Sequence, residues 1–427
     1  MPKIHHLPLR LSSDPTRVVI RPFHIAPDPG TSGQSKRAMR IIDAVAHMDM
    51  RTCQLELALV GQDFETRHWQ TRAIFMARYR QVMAEMGLNL KLRDGQKELI
   101  GAFFCHEYSY AAAALMNPSI VPHVDQTGLT PGSIRFIMSL RAVGEGHISS
   151  IAFREGILTA EGRLDLMPEP PFATAIDHAE PCPPGVNNCP VIAHRHPEAS
   201  LSGTVIFPFT DAQRNGLEDL RLVLFDDGSG PVYRGTYTAY SGSGIRSELL
   251  TTHDFREFRL EPFTGSAARN KGMALFPRKI GGQYCMIGRQ DGENIFLIRS
   301  DDLMHWDEGT QIIAPQQPWE LVQMGNCGSP IELDEGWLLL THGVGAMRKY
   351  SIGAVLLDKD DPSKVIRRLV SPLVSPADED REGYVPNVVY TCGAMLNGRR
   401  LFMPYGVADS SVAFCLVDVD ELLAEMV

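Results

Sequence analysis

The sequence predicts an all-β fold, a five-bladed β-propeller preceded by a mainly helical N-terminal extension. Three observations lead there. From Asn117 onward the 427-residue chain breaks into short apolar segments such as SIRFIMSLRA, GTVIFPFT and GWLLLTHGV. Each is strand length, rich in β-branched or aromatic residues, and bounded by Gly, Asp, Asn or Pro. The segments also recur: a strand–Asp–apolar–aromatic pattern around Asp254 returns around Asp302, and the strands holding Tyr237, Tyr284 and Trp337 follow at similar intervals. A period of about 50 residues with about four short strands per unit is what propeller blades require. Finally, 37 Gly and 29 Pro, modestly above ordinary usage, fit many tight turns.

The N-terminal stretch has a different texture, which divides the chain into an extension at 1–115 and a catalytic domain at 116–427. RVVIRPF at 17–23 reads as a strand. SKRAMRIIDAVAHM, FETRHWQTRAIFMARYRQVMAEMG and KELIGAFFCHEYSYAAAALM carry helix formers with apolar residues at spacings of three and four. In the second, Trp69, Ile74, Phe75, Tyr79, Val82 and Met83 form one apolar stripe. This extension is expected to pack on the propeller's flank, where it would cover the acceptor side or mediate self-association.

Composition bounds the function. With 41 basic and 51 acidic residues the net charge is −10, so a nucleic-acid partner is not expected. The start MPKIHHLPLRL has no apolar signal core and no run of 18 apolar residues exists, so neither a simple secretion signal nor a helical membrane span is expected and the cytoplasm is the expected location. The eight cysteines form no CxxC. Cys182, Cys189, His194 and His196 share one Pro-rich loop, but their spacing is not that of a zinc module, so no metal is expected.

Five polar clusters stand at strand ends. NGLEDLRLV places Glu218, Asp219 and Arg221 together, an acidic pair whose members can be driven to different protonation states; a turn with a salt bridge is the plainer reading. SLRAVGEGHISS brings Arg141, Glu145 and His147 around a hairpin, a candidate general base or simply a charged turn. Arg278 and Lys279, then Arg289, Asp291 and Asn294, alternate with apolar residues as half-buried strands also do. His342 follows an apolar strand, and Tyr405 with Asp409 ends another in PYGVADSS. Paired carboxyls amid Arg, Asn and aromatic side chains suit carbohydrate chemistry.

The ordered stretches NPS at 117–119, LEDLR at 217–221, KGMALFPRKI at 271–280, NIFLIRSDDLMHW at 294–306, GWLLLTHGV at 336–344, YSIGAVLLDKDDPSKVI at 350–366, REGYVPNVVYTCG at 381–393 and YGVAD at 405–409 resemble glycoside hydrolase family 130. That resemblance implies the five-bladed propeller and an inverting enzyme acting on β-mannosides without a cofactor. Family members use either phosphate, giving α-mannose 1-phosphate, or water. It implies Asp219 as general acid, acting through the mannosyl 3-hydroxyl, with Leu220 where the family usually has Pro.

The resemblance further implies His342 and Arg141 on the nucleophile side and Asp409 as a sugar contact; Asn117, His147, Arg278, Asp291 and Tyr405 are expected to join it as substrate-binding residues. A Lys expected before His342 is Gln323 here, and Glu145 lies where phosphorylases tend to be basic. Both differences remove positive charge, so the expectation is an exo-acting β-1,2-mannosidase-like hydrolase with Glu145 as base, releasing mannose from β-mannooligosaccharides. The alternatives are a phosphorylase with inorganic phosphate as co-substrate and a non-catalytic mannan-binding propeller.

Overall fold

The computed structural model describes residues 2–26, 35–176, 179 and 189–427. It divides into two compact units. One comprises residues 15–110 and 170–175; the other comprises 1–14, 111–169 and 176–427.

Among its described residues the smaller unit has four helices and a two-stranded sheet. Helix α1 (Lys36–Ala46) begins where Ser35 Oγ accepts from the Ala38 amide, and α2 (Met50–Phe64) where the Asp49 carboxylate accepts from Arg51 and Thr52. These side chains satisfy amides that a helix start leaves unpaired. Helix α3 (Thr71–Glu85) stops just before Gly87, whose φ of 63° continues no helix. Helix α4 (Asp94–Phe103) ends before Cys105–Ser109, a strand that pairs antiparallel with Val18–Pro22. The third predicted helix is therefore cut short, because the β-favouring HEYS run finds a partner strand 85 or more residues upstream. Ile42, Val45, Cys53, Tyr79, Val82, Leu99 and Ile100 make this unit's core.

The all-β, five-bladed propeller is not what the chain forms. The fold is mixed, with substantial helix, and among the described residues its strands lie in sheets of six, eleven, four, five and two that do not close into five equal blades. The recurrence in sequence reflects meanders of similar length, such as Gly216–Phe225, Val232–Tyr240, Ile245–Thr252 and Glu257–Pro262 paired in order. What the period could not show is lateral pairing between meanders. Gly216, at φ 148°, runs parallel to Ser149, and a Cβ there would sit 2.7 Å from Ser149 Cβ. That close approach fuses two meanders into the eleven-stranded sheet. A short helix α5 (Val419–Ala424), capped by Asp418, ends the chain.

In the smaller unit, α3 and α4 meet backbone to side at Gly101, where an added Cβ would fall 1.8 Å from the Phe75 carbonyl oxygen. Backbone cannot yield that distance without the helices separating. Gly101→Ala is expected to lower stability by about 3 kcal/mol, read as an earlier loss of the helical circular-dichroism signal in urea. An unchanged midpoint would show that α3 and α4 do not pack this closely.

Candidate active site

Two β-bulges build the centre of the larger unit. The register of Ala114–Pro122 shifts between Met116 and Ser119, and that of Gly216–Phe225 between Glu218 and Arg221. Each bulge carries a non-glycine residue in the left-handed region, Asn117 at φ 48° and Asp219 at φ 56°. Such backbone costs of order 1–3 kcal/mol per residue and persists where surrounding contacts hold it. Here Pro118 O accepts from both the Cys392 amide and Thr391 Oγ1, and Ser119 Oγ accepts from the Leu222 amide. The bulges turn Asn117 and Asp219 toward each other, so that Asn117 Nδ2 donates to Asp219 Oδ1 at 2.7 Å.

Arg141 sits opposite Met116 on the neighbouring strand and binds both acids. Its Nη1 donates to Asp219 Oδ1 at 3.2 Å, its Nη2 to Glu218 Oε1 at 2.7 Å, and its Nε to Ser149 Oγ at 2.9 Å. Lys271 Nζ donates to the other Glu218 oxygen at 2.6 Å. Arg221 donates from Nη1 to the Asp219 carbonyl, from Nε to the Cys327 carbonyl, and from Nη2 to Tyr390 OH at 2.7 Å. Tyr390 meets the His342 ring edge-on at 5.0 Å, and His342 Nε2 lies 3.3 Å from Arg289 Nη1. Four cations thus follow one another from Asp219 to His342. Gly325 lies opposite His342, and any Cβ there would come within 2.6 Å of the imidazole.

The charges set the protonation states. Burial works to raise the Asp219 pKa, but Arg141, Arg221 and Lys271 outweigh it and hold it at about 2. Asp409 goes the other way: burial, then the neighbouring Asp219 charge, push it up to about 6 against the pull of Arg141 and Arg348. Burial, then Arg289 and Arg221, drive His342 well below the usual imidazole range, so it is neutral at pH 7. Because a guanidinium only donates, Nε2 accepts from Arg289 and the proton resides on Nδ1. Asn117 Oδ1, Arg289 Nε and both amide atoms of Asn326 are buried with no hydrogen-bond partner. Such groups call for a ligand or water.

The predicted residues separate into those gathered here and those placed elsewhere. Asn117, Arg141 and Asp219 share hydrogen bonds, and Asp409 interacts with Asp219 and Arg141 electrostatically. Gln323 donates to Tyr350 OH at 3.4 Å, and Tyr350 stacks on His342. Glu145 is exposed on a one-turn 3-10 segment between strands, and His147 at its end bonds Tyr384 OH at 2.9 Å. Tyr384 precedes Val385, whose amide donates to Ala408 O beside Asp409. Arg278 is instead committed to a bidentate pair with Glu332 and lies over the Trp337 ring. Asp291 accepts from the Glu293 and Asn294 amides as a turn cap. Tyr405 OH faces His6, within the core cluster.

Sequence reasoning missed Lys271, Asn326 and Tyr390 as parts of this cluster. Lys271 opens KGMALFPRKI and was visible, but nothing local links it to Glu218, 53 residues away. Among the described residues no group of three or more His, Cys, Asp or Glu could hold a metal; Cys182 of the Pro-rich loop lies outside them. Nor, among them, is any helix long and apolar enough to cross a membrane.

The raised Asp409 pKa has a testable sign. Its folded value of about 6 exceeds the ordinary 3.8, so the stability it contributes is complete below pH 4 and lost as pH rises through 6. Asp409→Asn, which suits φ 48° equally well, is expected to be the more stable protein at pH 8, on the order of 3 kcal/mol. The gain should vanish at pH 4 in urea melts. An equal gain at both pH values would mean Asp409 is not held neutral.

Comparison with known proteins places this geometry. Residues 198–426 match the family model described as β-1,4-mannooligosaccharide phosphorylase, Glyco_hydro_130. The chain is 33% identical to β-1,2-mannobiose phosphorylase of Listeria innocua over 52% of its length, a match spanning 63% of that protein. It is 34% identical to 1,2-β-oligomannan phosphorylase of Thermoanaerobacter sp. strain X514, over 50% of this chain and 72% of that one. In structure it is similar to the Listeria innocua β-1,2-mannobiose phosphorylase in complex with β-1,2-mannobiose, with a TM-score of 0.50 and 22% identity over 73% of this chain and 92% of that one. The relatives are phosphorylases, which overturns the hydrolase expected from Gln323 and Glu145. The positive charge thought missing at Gln323 is present in Lys271 and Arg289, which the sequence reading had not placed here. The chain belongs to glycoside hydrolase family 130.

Proposed function

We propose that the protein is an inverting β-mannoside phosphorylase that cleaves a β-mannooligosaccharide with inorganic phosphate and releases α-mannose 1-phosphate. The observation that carries this reading is the excess of cations around the acid. Arg141, Arg221 and Lys271 hold Asp219 at about pKa 2, where it has no proton to give at neutral pH. A water nucleophile, being neutral, leaves that field intact and the acid empty. A phosphate dianion seated beside Arg221 and Arg289 offsets positive charge around the acid and lets Asp219 take a proton. Nucleophile and acid are then armed together.

In this mechanism phosphate lies toward Arg289, Arg221 and neutral His342, with the unpartnered Arg289 Nε and Asn326 amide as further donors. Three or more charge-assisted contacts suit a dianion. A phosphate oxygen attacks the anomeric carbon as the bond to the leaving oxygen breaks. That oxygen takes the Asp219 proton, and the mannosyl carbon inverts. Asn117 and Arg141 fix the carboxyl's direction, and Glu218, tied to Arg141 and Lys271, keeps both cations in place. Asp409, and His147 with Tyr384, belong to the sugar side. The printed names of the relatives make β-1,2-linked mannobiose the first substrate to try.

The test is product analysis with β-1,2- and β-1,4-mannobiose, with and without phosphate. Mannose 1-phosphate is expected, and only when phosphate is present; mannose released equally fast without it would overturn the reading. Asp219→Asn is expected to lower kcat by about 10²–10⁴-fold. Arg289→Ala is expected to raise the KM for phosphate at least tenfold more than that for the disaccharide, in initial-rate measurements. Equal effects on both would remove Arg289 from the phosphate side.

A further inference from the structure

Helix α2 is apolar on two sides. Cys53 is buried, and Leu57, Val60 and Phe64 follow it on the inward side. At about 100° per residue, Leu55 and Leu59 fall roughly 200° and 240° from Cys53, on the outward side where a surface helix is normally polar. They are 59% and 54% exposed. Phe64 and Phe103, also exposed, border the helix along a cavity of about 190 Å³ that Val60 and Leu99 share. A single exposed leucine needs no explanation, but two at four-residue spacing on the face opposite the core-facing row do.

The ends of that stripe indicate what covers it. Arg51, Leu55, Leu59 and Asp63 stand four residues apart along one row, the kind of ridge by which helices interlock. The row is self-complementary. If a second copy of α2 runs antiparallel about a two-fold axis at Leu57, Leu55 of each meets Leu59 of the other, and Arg51 of each meets Asp63 of the other. A two-fold contact must match its own reverse in this way. We infer that the outward face of α2 is a self-association surface, on which two copies of this chain pair through an antiparallel α2–α2 contact. The helix is about 22 Å long, so the pair alone falls short of the roughly 800 Å² per partner of a stable interface. The dimer is therefore expected to dissociate on dilution.

Sedimentation equilibrium of the full chain over a hundredfold concentration range tests this, with circular dichroism as the check on folding. The wild type is expected to be dimeric at the high end and monomeric at the low end. Leu55→Glu with Leu59→Glu should be folded and monomeric throughout. Arg51→Asp alone and Asp63→Arg alone should each weaken pairing at least tenfold, since each sets like charges face to face. An equimolar mixture of those two single variants should recover dimer, because each then presents the charge the other lacks, and so should the chain carrying both changes. A wild type that stays monomeric, a dimer that survives the two leucine changes, or single variants that do not complement one another would overturn the inference.

Discussion

The geometry of the larger unit depends on one clamp, the hold of Arg141 and Asn117 on the carboxylate of Asp219. An acid buried in protein would otherwise rise in pKa and turn to whatever donor lay nearest. Here two bulges, each with a strained residue, bring Asn117 and Asp219 into hydrogen-bond contact, and Arg141 binds Asp219 and Glu218 at once. The strain at Asn117 and Asp219 is offset by the bonds that Pro118 and Ser119 make to the surrounding strands. Ala408 and Asp409 repeat the same left-handed backbone on a third strand end. Left-handed backbone thus recurs at three strand ends where these polar side chains converge.

The clamp has an electrostatic consequence. Cations that orient Asp219 also keep it ionised, so the groups that position the acid prevent it from acting alone. Asp409, nearby but less favoured by those cations, stays near neutrality in charge at pH values below about 6. The two acids therefore occupy opposite ends of the carboxyl range within one cluster. Added negative charge is what moves Asp219 toward protonation, and a phosphate dianion is the natural source of it.

Much of this was legible in the sequence, and the losses have physical causes. LEDLR, NPS and YGVAD could be read because bulges and strand ends are local: the residue that turns and the residue that acts are neighbours in the chain. Lys271 and Tyr390 could not, since each joins through a partner more than 50 residues away, and Asn326 could not because only the pairing of its strand with the one that carries His342 brings it here. Arg278 and Asp291 looked alike on paper to Arg289, yet Glu332 and a local turn absorb them. Gln323 misled because one lost charge was counted without the gains elsewhere. The sheet architecture was misread for a similar reason, as a repeat in sequence fixes the meanders but not the Ser149–Gly216 contact that joins two of them. Helix α2 escaped notice because its leucines face both ways and give no single stripe.

The central claim is that phosphate binding and protonation of Asp219 are one event. Isothermal titration of the protein with inorganic phosphate at pH 8, in buffers of different ionisation enthalpy, measures protons taken up per phosphate bound. At that pH free phosphate is already mostly the dianion. Uptake approaching one proton, abolished in Asp219→Asn with phosphate still bound, is the predicted result. Phosphate that binds with no proton uptake, or uptake that survives Asp219→Asn, would contradict the account.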